Sequence, residues 1–234
     1  MNLLLLLPGE LSFDGTARLT GRRLLHAREV LRLTQGDLMK VGVLEGLTGV
    51  AEVLHLDAHE LVLRPLLTDA PPPRADVDLL LAVPRPKALR KVLPAAAALG
   101  VGRIVLVNAA RVEKSYFDSK VLVPDAVREL LILGLEQARD TRLPEVLVRE
   151  RFRPFVEDEL DSLWPDETRF VAHPGAPAGL PRRAGRAVVA IGPEGGWVPF
   201  ELELLRARGF AAFTLGPRTL RVEVAVPYVL GALR

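Results

Sequence analysis

Three consecutive prolines, Pro71–Pro73, preceded by Asp69 and Ala70, divide the chain into two stretches of different rhythm. A proline run has a fixed φ and no amide hydrogens, so it continues neither helix nor central strand and forms a stiff, extended hinge. Before it, short β-type runs alternate with turn residues: Leu3–Leu7, Leu38–Val43, Thr48–His55 and Leu61–Leu66, with one helical segment at Gly21–Leu31. This pattern predicts a small β-barrel-like module over residues 1–70. After the hinge, buried apolar runs alternate with helical ones. The strands expected are Asp78–Val83, Arg103–Asn108, Arg169–Ala172, Ala187–Ile191 and Ala212–Leu215. The helices expected are Pro86–Leu99, Pro124–Arg139, Pro199–Arg208 and Glu223–Leu230, with Pro94 kinking or shortening the first. Alternation of this kind argues for a mostly parallel sheet covered on both faces, an α/β domain over residues 74–234. A chain of 234 residues has room for both.

There is no cysteine, which excludes a disulfide framework, a thiolate metal site and a cysteine nucleophile. His26, His55 and His59 show no metal-ligand spacing, so they read as structural or surface residues and no metal is expected. The apolar run Leu3–Leu7 lacks the flanks of a signal peptide, and no stretch reaches the roughly 20 apolar residues that cross a bilayer. A cytoplasmic protein without a membrane partner is expected. The net charge is only +2, but the basic residues are nearly all arginine and cluster at Arg18, Arg22, Arg23, Arg28 and Arg32. Guanidinium groups suit phosphate contact, and on composition alone a solvated surface explains them equally well.

The segment Ala187–Trp197, AVVAIGPEGGW, is a buried strand running into a glycine-rich turn and then a helix. Ligands of open α/β sheets bind beyond the carboxyl ends of strands, which is where this turn falls. Gly192, Gly195 and Gly196 permit close backbone approach, and Pro193 restricts the turn. Glu194 would repel a phosphate and suits a cationic or polyhydroxyl ligand; a tight turn with a solvent-facing glutamate is the plain alternative. A second strand–turn–helix, FTLGPRTLRVEVA at Phe213–Ala225, crowds Arg218, Arg221 and Glu223 together. An ion pair at the start of the last helix accounts for Glu223 and leaves both arginines unexplained.

These two signatures, with His173–Pro174, Pro86–Lys87, ALGVGRIVLVNAAR, EQARDTRLPE and HAREVLRLTQGD, resemble the bacterial 16S ribosomal RNA uridine-N3 methyltransferase family of the SPOUT superfamily. The similarity runs along nearly the whole chain. It implies a PUA-like β-barrel followed by an α/β domain with a C-terminal trefoil knot, working as a homodimer on 16S ribosomal RNA or the assembled small subunit. It implies S-adenosylmethionine as cofactor, held by His173 and Pro174, by Ile191, Gly192, Pro193, Glu194, Gly195 and Gly196, and by Leu215, Gly216, Leu220 and Arg221. Arg221, Glu223 and Arg218 are the catalytic candidates, with Arg221 stabilising charge on the uracil. Arg22, Arg23, Arg28, Arg32, Lys87 and Arg139 are the candidate RNA contacts. A ribose 2′-O-methyltransferase of the same superfamily and a non-catalytic RNA-binding assembly factor are the competing readings. The chain departs from the family pattern at Val224, where threonine is usual, at Ala98, where glutamate is usual, and in having no arginine before Arg18.

Overall fold

The computed structural model describes residues 2–180, 182 and 185–233. The chain divides into two compact units, residues 1–73 with 132–143, and residues 74–131 with 144–234.

The first unit is a five-stranded curled sheet built from β1 (Leu4–Leu6), β2 (Ala17–Leu19), β3 (Leu38–Val43), β4 (Thr48–Leu56) and β5 (Leu61–Asp69), in the order β1-β3-β4-β5-β2. Only β1 and β3 run parallel. Register shifts between Thr48 and Gly49 and between Val53 and His55 interrupt the β4–β5 ladder, and bulges of this kind bend a strand and increase its twist. Leu4, Leu6, Leu19, Val41, Val53, Leu61 and Leu63 point to one face and form the core with Leu24 and Ala27. The expected helix Gly21–Leu31 is regular only over α1 (Gly21–Leu25); it widens into a π-type turn, His26–Val30, and stops where Arg32 takes φ +53°. The sequence reading missed β2, because three residues with one exposed arginine carry no periodic signal.

In the second unit all six strands are parallel, in the order β11-β9-β10-β6-β7-β8. They are β6 (Val77–Ala82), β7 (Arg103–Val107), β8 (Glu145–Arg149), β9 (Thr168–Ala172), β10 (Ala187–Ile191) and β11 (Ala211–Phe213). Every residue of β6 and β10 is buried, as expected of central strands covered on both faces. The helices are α2 (Pro86–Ala98), the short α3 (Lys114–Phe117), α4 (Pro124–Ala138), α5 (Phe152–Pro154), α6 (Leu160–Leu163), α7 (Pro199–Ala207) and α8 (Val222–Ala232). The later part of α4 is counted with the first unit.

Two expectations are corrected here. Pro94 does not shorten α2, which continues to Ala98, because Leu93, Ala96 and Ala97 stay buried and packing outweighs one lost hydrogen bond. The stretch 145–163 holds an edge strand and a helical segment broken by a π-type turn at Phe155–Glu159, where none was expected. At the amino end of the sheet, Asp78, 1% exposed, accepts from the Trp164 indole Nε1 and the Arg103 amide, both at 2.9 Å, and so receives the hydrogen bonds a buried carboxylate requires. Among the described residues no helix is long and apolar enough to cross a membrane.

Candidate functional site

Three loops leave the carboxyl ends of β9, β10 and β11 and close around one cavity of about 430 Å³, within the size range of small-molecule sites. The β9 loop contributes Ala172–Pro174, the β10 loop Ile191–Trp197, and the β11 loop Thr214–Val222, with Ala225 of α8 completing the wall. The first and third loops are tied together: the His173 amide donates to the Phe213 carbonyl and the Thr214 amide to the Ala178 carbonyl, each at 2.8 Å.

The glycine-rich turn between them closes through the Gly196 amide, which donates to the Pro193 carbonyl at 2.8 Å. Gly196 has φ +70°, a region L side chains rarely adopt. A Cβ on Gly192 would lie 3.1 Å from the Trp197 nitrogen and 3.3 Å from the Gly196 backbone, so even a methyl group there makes the turn give by a few tenths of an ångström.

The turn is braced from outside the cavity by contacts to which the sequence assigned no role: those of Arg85, Arg111 and Glu201. Arg111, just beyond β7, donates to the Gly195 carbonyl and packs its methylenes over that residue. The Glu194 carboxylate accepts the Arg85 amide at 3.1 Å and lies 3.8 Å from the Arg85 Nε, which is buried without a hydrogen-bond partner. Glu201, 3% exposed, accepts from the Val198 amide at 3.0 Å and the Ala110 amide at 2.7 Å, joining the start of α7 to the loop that carries Arg111. Their position directly after parallel strands was the available signal for Arg85 and Arg111. Glu201→Ala leaves both amides without an acceptor, so a loss of about 2–4 kcal/mol in unfolding free energy is expected in urea titration, with Glu201→Gln losing less.

The catalytic candidates separate. Arg218 and Arg221 both line the cavity, and Arg221 sits at the N-cap of α8 with its side chain exposed. Glu223 lies outside the lining, with Arg85 at 3.5 Å and Lys91 at 3.9 Å from its Oε1. Its own backbone amide, followed by the charges of Arg85, Lys91 and Arg221, holds its carboxyl below the ordinary glutamate value. It is therefore a helix-end anion at neutral pH, a contribution lost only as pH falls through that lowered value, and poorly matched to accepting a proton.

Every cofactor-binding candidate, from His173 through Arg221, is among the lining residues. The RNA-contact candidates are not gathered in this way. Lys87 lies exposed on α2 in the second unit, and the others belong to the first. There Arg23, 19% exposed, is ion-paired with Glu10 and donates to the Leu5 carbonyl at 2.9 Å, so its charge is engaged internally. Arg22 pairs at 3.1 Å with the buried Glu136, and Arg28 at 3.2 Å with Glu29. Arg32 and Arg139 adopt positive φ where their helical segments end.

The cavity lining combines the apolar Ile191, Leu215, Leu220 and Val222 with glycines, prolines and the polar His173, Glu194, Arg218 and Arg221. Trp197 is among the lining residues, and its indole Nε1 is buried, with no hydrogen-bond partner among the described residues. Such a group is costly unless a ligand or water accepts from it. An adenosine-type ligand with heteroatom acceptors fits this lining. Trp197→Phe keeps the ring packed on Phe152, now 5.5 Å away between centroids. It should leave unliganded stability undiminished in urea titration, because the indole Nε1 it removes has no partner to lose. No cluster of three or more metal-ligating side chains occurs among the described residues.

Comparison with known proteins bears on this geometry. Residues 71–234 match the model of the family described as RNA methyltransferase domain. The Treponema pallidum ribosomal RNA small subunit methyltransferase E is 32% identical over 87% of this chain and 79% of its own length. The Borreliella burgdorferi ribosomal RNA small subunit methyltransferase E 1 is 23% identical over 96% and 94%. The crystal structure of a ribosomal RNA small subunit methyltransferase E from Neisseria gonorrhoeae, bound to S-adenosyl methionine, superposes with a TM-score of 0.77 at 25% identity, covering 99% of this chain and 96% of that one. The chain belongs to the RNA methyltransferase family, within its ribosomal RNA small subunit methyltransferase E branch.

Proposed function

We propose that this protein uses S-adenosylmethionine to methylate N3 of a uridine in the 16S RNA of the small ribosomal subunit. The observation that carries the reading is the cavity at the ends of β9, β10 and β11, where the two glycine-rich turns and the His173–Pro174 loop form one lining. Family membership supports the substrate class, and the uridine-N3 position rests on the resemblance of the two glycine-rich signatures.

When bound, S-adenosylmethionine supplies an electrophilic methyl group on a sulfonium. The protein's part is to position the base and to offset the charge that develops as the N3 proton leaves. Arg221, exposed at the cavity rim, is the group placed to stabilise a uracil imide anion, with Arg218 beside it on the same loop. Glu194 and Glu223 hold Arg85 and the start of α8, and the proton passes to water.

On the same reading the first unit is a PUA-like barrel that contacts RNA through Arg22, Arg28, Arg32 and Arg139. The second unit carries a C-terminal trefoil knot, and the enzyme works as a cytoplasmic homodimer. The exposed apolar pair Val224 and Tyr228, one turn apart on α8, supports association between copies.

Calorimetry with S-adenosylmethionine, followed by nucleoside analysis of small-subunit RNA incubated with protein and cofactor, tests the proposal. N3-methyluridine is expected. A 2′-O-methyl nucleoside would replace the reaction assigned, and absence of cofactor binding would leave a non-catalytic RNA-binding factor.

A further inference from the structure

The opening of α2 carries four cations, Arg85 at its N-cap followed by Lys87, Arg90 and Lys91, and the helix contains no acid. Aligned peptide dipoles make this end of a helix positive, so cations are disfavoured there and acids favoured. Lys87, Arg90 and Lys91 are also spaced i, i+3 and i+4, which makes like charges neighbours on one exposed face, while Ala88, Leu89, Val92 and Leu93 are buried on the other. Two of the four cations are compensated by other elements, Arg85 by Glu194 and Glu223, and Lys91 by Glu223. Lys87 and Arg90 are exposed and have no hydrogen bond or ion pair among the described residues.

Unmatched positive charge kept against like-charged neighbours, and at Lys87 against the helix dipole as well, calls for an external anion. Its place indicates which one. The Arg85 amide is bonded to Glu194 of the turn that lines the cavity, so the charged face begins at the cavity rim. None of the large exposed apolar side chains lies on α2. The face therefore lacks the apolar anchors of a protein–protein interface and suits the point-charge contacts of a sugar–phosphate backbone.

Resting on the methyltransferase reading, we infer that Lys87, Arg90 and Lys91 form a docking strip for the RNA strand adjoining the target nucleotide. Phosphates on this strip hold the strand so that the target base reaches the cavity. The strip acts on RNA affinity and leaves cofactor affinity alone.

The test is the double variant Lys87→Gln/Arg90→Gln, chosen because both side chains are exposed and unpaired. Binding of a small-subunit RNA fragment is measured from low to moderate salt, beside Arg153→Gln/Arg206→Gln, which removes the same charge at exposed positions elsewhere on the chain. Each lost phosphate contact lowers the salt slope of log K by about 0.7–0.9, so a slope smaller by about 1.5 and an affinity about tenfold weaker at low salt are expected. The dissociation constant for S-adenosylmethionine should stay within twofold. An unchanged slope in an active protein, or an equal loss in the control pair, overturns the strip. A wild-type protein that neither binds S-adenosylmethionine nor methylates RNA overturns the underlying reading instead.

Discussion

Arg221→Ala is expected to lower the methylation turnover number by about 100- to 1000-fold, the usual consequence of removing a group that stabilises charge in the transition state. The affinity for S-adenosylmethionine should change by no more than severalfold, because the exposed Arg221 is one lining residue among many on three loops. The structure also predicts the sign of the stability change. Arg221 stands at the N-cap of α8, where a cation opposes the helix dipole and no side-chain capping bond is made. The variant should therefore unfold no more readily than the wild type. Single-turnover methylation of small-subunit RNA, paired with a thermal melt, distinguishes this outcome from a structural role. Wild-type turnover would remove Arg221 from the mechanism, and a large fall in melting temperature would make it a structural residue.

Gly192→Val should abolish measurable cofactor binding, raising the dissociation constant more than about 100-fold. The atoms that a first side-chain carbon would meet, at 3.1–3.3 Å, belong to the backbone of Trp197 and Gly196 and cannot rotate away as a side-chain tip could. The turn must give by a few tenths of an ångström for the first carbon and further for valine's two methyl groups, which displaces the middle wall of the cavity. Gly209→Ala is the matched control. Gly209 has φ +82° and nothing within 4 Å of an added methyl group, so the substitution strains the end of α7 by about 1–2 kcal/mol without touching the cavity. Calorimetry should show normal cofactor affinity for Gly209→Ala and none for Gly192→Val. Equal affinities would mean that the turn is not the binding wall.

Long, strongly patterned elements were legible before the structure. The strands β6, β7 and β10 and the helices α2, α4, α7 and α8 fall where apolar periodicity placed them, to within a few residues. The stretch 145–163 was not legible. Edge strand β8 has no fully buried residue, and the helical segment after it is interrupted by a π-type turn, so neither shows a clean period. Side-chain roles were harder still. Arg23 looked like one more member of a phosphate-binding cluster, yet it is committed to Glu10, a residue whose partnership no spacing rule reveals. Glu223 was a catalytic candidate because it crowds the second turn with Arg218 and Arg221, and the structure sets it outside the cavity lining against Arg85 and Lys91.

The sequence by itself determined the α/β class, the change of architecture near the proline hinge and the two glycine-rich strand–turn–helix segments, because these follow from local backbone preference and burial period; the His173–Pro174 loop came from the family resemblance. Only the tertiary structure decided that those loops meet around one cavity, that Arg85, Arg111 and Glu201 brace the middle one, and that Lys87 and Arg90 remain unpaired beside it. The parallel order β11-β9-β10-β6-β7-β8 brings together ends of strands that are far apart in the chain. Contacts made across such distances depend on strand order and register, which local chemistry does not encode.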